Sequence, residues 1–135
     1  ETHPAVTLMQ NTFDVFDSAN YAQMIVLNPP PGVASKHVLL PWGASDTYSP
    51  NATLDITARA MGLQLAAPVI QPIAGMTTVA RPVSANLNGF TGVCAQYAPA
   101  MGSDGLFVTM DNAAAQADWI GFLVSAIQNG TPVLP

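Results

Sequence analysis

The chain has 135 residues, half of them hydrophobic and only 8% charged, with a formal net charge of −5. That length suits one domain and is short for two. Three scattered cations, Lys36, Arg59 and Arg81, stand against eight acids, so there is no basic track to neutralise a phosphate backbone, and nucleic acid is not expected as a partner. Charged residues make up roughly a quarter of an ordinary soluble domain, so much of this surface is expected to be covered or unusually neutral.

In chain order, Pro4 suits a first helical turn, and Val6, Met9, Gln10 and Phe13 follow at helical spacing. Asp17 is a good N-cap for a second helix through Tyr21, Met24, Ile25 and Leu27, which Pro29-Pro30-Pro31-Gly32 ends. These two short, nearly uncharged helices read as a lid or cap, and with the proline connector they make up segment 1–31. Residues 32–135 form the core.

Val38 to Trp42 is an almost continuous apolar run and reads as a buried strand. A polar loop, 44–49, leads to a helix from about Pro50, capped by Ser49, with Leu54, Ala58 and Met61 on one face and Gly62 as its stop. Leu65 to Ile73 holds Pro68 and Pro72, which predicts an edge strand or irregular crossing. Thr77, Val79 and Val83 suit short β structure. Phe90 to Tyr97 is a better strand, with Val93, Ala95 and Tyr97 on one side.

Asp111 or Asn112 caps the clearest helix. Its apolar face is predicted from Ala113, Gln116, Ala117, Ile120, Val124 and Ile127, widened by Trp119, Phe122 and Leu123, and Asn129-Gly130 ends it. No apolar run approaches the ~20 residues of a membrane span. Cys94 is alone in an apolar setting and reads as a small core residue. The two histidines, His3 and His37, lie far apart, so no metal site and no cofactor are expected. Asn51-Ala52-Thr53 and Asn129-Gly130-Thr131 match the glycosylation acceptor pattern, which also arises by chance. The chain opens at Glu1 without a cationic leader, and low Lys and Arg with much Ala, Pro, Thr and Asn fits export. It is therefore read as a processed piece of a longer precursor, secreted or on the exterior of the cell envelope.

The segment Gly43-Ala44-Ser45-Asp46-Thr47-Tyr48-Ser49-Pro50 resembles the G-x-x-D-x-x-x-P segment of α/β-hydrolases, in which the aspartate is the acid of the catalytic triad. Gly102-Ser103-Asp104-Gly105-Leu106-Phe107-Val108 resembles the segment where these enzymes carry a glycine and then the catalytic histidine, ahead of a long final helix, here 111–128. The resemblance covers about Lys36 to Gln128. It implies an α/β fold: the C-terminal portion of an α/β-hydrolase sheet with flanking helices, completed by a missing N-terminal half of the precursor or by a partner chain that carries the serine. The helices before Leu27 take the place of the lid found over many lipase and esterase sites.

The activity so implied is carboxylic-ester hydrolysis with Asp46 as triad acid. No GxSxG is present, and the histidine position holds Leu106, which can neither take a proton from serine nor be oriented by Asp46. His37 precedes its strand, at the end opposite Asp46, and His3 sits near the chain end. Each candidate has a plainer reading. Asp46 also suits a local Asx turn, Asp104-Gly105 is a turn signal, and Trp42 and Tyr48, candidates to line a pocket, also suit core packing. Three functions stay open: an ester-hydrolase fragment supplying the acid, a catalytically inactive hydrolase-like binding or assembly protein, and an independent small α/β domain that self-associates, with a homo-oligomer possible.

Overall fold

The computed structural model describes residues 3–135. The chain begins as an arm, α1 (Pro4–Phe13), a single 3-10 turn and α2 (Ser18–Val26). The His3 ring accepts from the Ala5 N–H and Asp17 from the Ala19 N–H, so each helix starts on a side-chain cap. No residue of α1 is buried, whereas Ala22 and Val26 anchor α2.

The body is built on β1 (Val38–Gly43), α3 (Asn51–Met61), β2 (Gln64–Ala66), β3 (Thr78–Val79), β4 (Val83–Ser84) and β5 (Gly92–Tyr97). It ends in α4 (Val108–Asp111), α5 (Ala113–Asn129) and β6 (Val133–Leu134). Four strands form one parallel sheet in the order β1-β5-β2-β3, and β4 and β6 make a separate antiparallel pair. Parallel strands are joined by crossovers that put helices on the sheet faces. All six residues of β5 are accordingly buried.

Alternation along β5 divides the core. Val93, Ala95 and Tyr97 pack with Val108, Ala115 and Phe122 on one face, while Cys94 joins Trp42, Ala58 and Val26 on the other. The fold is thus an α/β fold with a mostly parallel sheet flanked by helices.

Three local expectations are corrected. The stretch after Gly62 forms an interior strand, β2, held between β5 and β3. It reconciles an interior place with Pro68 by ending at Ala66, before the proline would interrupt the ladder. At the start of α3, Pro50 rather than Ser49 holds the cap position, and no side chain caps there. The Asn51 amide turns back to the Gly43 carbonyl at 2.7 Å. On α5 the buried residues are Ala115, Asp118 and Phe122, with Asn112 as the cap, and the predicted stripe of Ile120, Val124 and Ile127 faces outward at 47%, 44% and 85% exposure. Asp118 faces inward, where its carboxylate meets Arg81 and Tyr97, partners far along the chain that apolar periodicity cannot register.

Candidate functional site

β1 and β5 pair in parallel from Val38 opposite Gly92 to Gly43 opposite Tyr97, so their carboxyl ends coincide. Loops leaving that end of a parallel sheet are where α/β proteins place ligands and chemistry. The loop after β1 is pinned by the Ala44 N–H on the Tyr97 carbonyl at 2.9 Å. Ser45 turns it with a left-handed φ of 57°, uncommon for a residue with a side chain. The loop after β5 returns across it at Gly105. A Cβ on Gly43 would overlap the Gly105 backbone, and one on Gly105 would sit 2.5 Å from the Ala44 oxygen and 2.7 Å from the Asp46 nitrogen. Only glycine lets these two backbones approach so closely.

Asp46 is buried at this crossing, with 8% of its surface exposed. Its Oδ1 accepts from the Tyr48 N–H at 2.9 Å and the Ser49 N–H at 2.7 Å, an Asx turn that leads the chain into α3. Asp104 ties the second loop to the first: it accepts from the Thr47 hydroxyl at 2.6 Å, from the Thr47 N–H and from the Leu106 N–H. The Leu106 N–H, then the Thr47 hydroxyl, hold its carboxyl below the usual carboxylate range. Leu106 follows directly and is 40% exposed. Asp46 and Leu106, linked in the sequence only by resemblance, therefore sit on two loops in contact at one end of the sheet.

The other candidates are not at this corner. His37 lies at the amino end of β1, where its Nδ1 accepts from the Thr91 N–H at 2.9 Å and its ring tilts onto Phe90. His3 is exposed and caps α1. Trp42 is corrected from pocket candidate to core: it is 1% exposed and donates from Nε1 to Asp55 at 2.9 Å, beneath α3. Tyr48 is 70% exposed, with its ring edge-on to Phe107. Of the two acceptor patterns for glycosylation, Asn51 uses its amide inside the fold while Asn129 is exposed.

A second polar group, missed in the sequence, lies beside the same end of the sheet. Asp118 Oδ2 accepts from Arg81 Nη1 at 2.6 Å and from the Tyr97 hydroxyl at 2.7 Å, while Arg81 Nε donates to the Ala67 carbonyl. Arg81, Tyr97, Asp118, Gln96 and Asn112 border a cavity of about 270 Å³. Burial opposes the Arg81 charge, yet the hydrogen bonds and charge of Asp118, joined by Tyr97, leave the guanidinium above its ordinary value. Burial, reinforced by Asp118, raises the Tyr97 phenol. The one available signal was an aspartate set inside an otherwise apolar helix. On the opposite face, burial and then the Asp55 charge push the Cys94 thiol up to about 12, which leaves it inert as a nucleophile.

No protein-family model, no curated protein and no solved structure matches this chain. Among the described residues, no three His, Cys, Asp or Glu side chains are grouped to hold a metal ion. No described helix is long and apolar enough to cross a membrane.

Proposed function

We propose that the Asp46–Leu106 corner is that of a carboxylic-ester hydrolase site whose base position is leucine, and that the chain serves as a catalytically inactive, α/β-hydrolase-like binding or assembly protein. The observation that carries this reading is the composition of the corner. Asp46 is buried in the loop that follows β1, the loop packed against it carries Leu106, and both imidazoles use Nδ1 to accept backbone N–H groups elsewhere. Serine attack on an ester needs a base to take the hydroxyl proton. A leucine side chain has no lone pair to do so.

The convergence of the two loops also supports a second reading, in which another chain, or the N-terminal half of the same precursor, brings serine and histidine. Asp46 Oδ1 is occupied by Tyr48 and Ser49, so Oδ2 would receive the imidazole N–H and hold the ring for proton transfer. The two readings separate on short p-nitrophenyl esters. The purified chain, alone or with any co-purifying partner, is expected to give no turnover above buffer, and the Leu106→His variant with that partner to gain some. Turnover by the unaltered protein that Asp46→Asn abolishes would replace the inactive reading with the enzyme.

A further inference from the structure

Among the apolar surfaces the fold leaves uncovered are a projecting cluster on the arm and a groove beside β1. On the arm, Val6, Met9 and Phe13 share a face of α1, and with Phe16 they are 50%, 61%, 62% and 83% exposed. The second surface is a groove of about 330 Å³ lined by Leu39, Pro41, Trp119, Phe122 and Leu123, with His37 at one end. It runs along the free edge of β1. The Val38 and Ala44 N–H groups donate to Thr91 and Tyr97, so the even positions face β5 and the backbones of Leu39, Pro41 and Gly43 face outward. Pro41 has no N–H to offer there. The edge is therefore a poor template for an added strand and better suited to apolar side chains laid against it.

Charge and area narrow the occupant. The arm's apolar cluster is bracketed by exposed Asp14 and Asp17, while exposed Lys36 directly precedes His37, which lines one end of the groove. Among the described residues the ion pair is Arg81 with Asp118, and Lys36 has none. The accessible surface is 7987 Å² for 14.0 kDa, where a compact monomer of that mass exposes about 6,700 Å². The excess is larger than the roughly 800 Å² each partner contributes to a standard interface.

We propose that a second copy of this chain covers the groove, in a two-fold dimer whose arms are exchanged. Phe13 and Phe16 of each copy enter the groove of the other, and Asp14 and Asp17 approach its Lys36. One pairing then buries the arm cluster and the groove twice each, as exchange of an identical element does. The inference stands on the arm and the groove and is independent of the role of Asp46.

Light scattering coupled to gel filtration reads the outcome directly. The intact chain is expected at twice 14.0 kDa, and both Phe13→Asp/Phe16→Asp and Leu123→Asp at the monomer mass. Mixing these two variants should restore a dimer, because an intact arm from one meets an intact groove on the other. Lys36→Glu should raise the dissociation constant about fivefold, the scale of the two exposed charge contacts that each dimer loses, and adding Asp14→Lys and Asp17→Lys should reverse it. Circular dichroism should show the arm variant still folded, since the altered residues are unburied. A monomeric intact chain, or a dimer that survives Phe13→Asp/Phe16→Asp, overturns the proposal.

Discussion

Asp46 and Asp118 are both buried carboxylates near the same end of one sheet, yet they are satisfied in opposite ways. Asp46 takes its hydrogen bonds from N–H groups two and three residues downstream. Asp118 takes its bonds from Arg81 and Tyr97, 37 and 21 residues away in the chain. A locally satisfied carboxylate shapes a turn and can do so in almost any fold. One satisfied across the chain binds β5, α5 and the segment before β4 into a single unit, and it exists only once the fold is complete. The two should respond differently when a partner is removed.

The largest effect is expected at the long-range group. Arg81→Ala leaves Asp118 buried without its cation, and breaking a buried pair in this way costs about 3 kcal/mol. Urea unfolding measures it; a change below about 0.5 kcal/mol, the level of an ordinary surface substitution, would show that the pair holds nothing together. Gly43→Ala comes next, because its Cβ would overlap the Gly105 carbonyl and force the two loops apart. Overpacking of this kind costs about 2 kcal/mol. If Gly43→Ala is neutral while Gly105→Ala destabilises, the loops do not cross as described. Asp46→Ala is expected to cost about 1 kcal/mol, the size of a lost cap, and Asp46→Asn less, since its amide oxygen still accepts. A loss at Asp46 equal to that at Arg81 would erase the distinction between the two carboxylates.

The same distinction governs what could be read before the fold was known. The Asx turn at Asp46, the stop at Gly62, the cap at Asn112 and the places of β1 and β5, though not the start of β5 at Gly92, depend on neighbours within a few residues, so composition and spacing carried them. The close approach of Gly43 to Gly105 joins parts of the chain far apart in sequence, so local spacing could not show it. The inward face of α5 was misread because periodicity weighs side chains by their apolarity. It cannot see that Asp118 gains Arg81 and Tyr97 by facing in, at the expense of exposing Ile127. Interior β2 was misread for a related reason. Pro68 argues against a long central strand but is silent about one that stops at Ala66.

Asp104 gives the smallest effect and separates a local from a long-range carboxylate by pH. It combines a local bond to the Leu106 N–H with a distant one to Thr47, and together these hold its carboxyl below the ordinary carboxylate range. A carboxyl whose value is lower in the folded than in the unfolded chain stabilises the fold above the unfolded value, ~3.9, and that contribution fades as pH falls through the folded value. Thermal unfolding of the unaltered protein and of Asp104→Asn should differ by a small, constant amount between pH 5 and 7, roughly the range in which both states of Asp104 are ionised. The difference should shrink below that range as Asp104 is protonated. A gap that is unchanged in strong acid would mean that the Asp104→Asn variant is weakened by shape rather than by charge, and the link between the two loops would then rest on Gly43 and Gly105 alone.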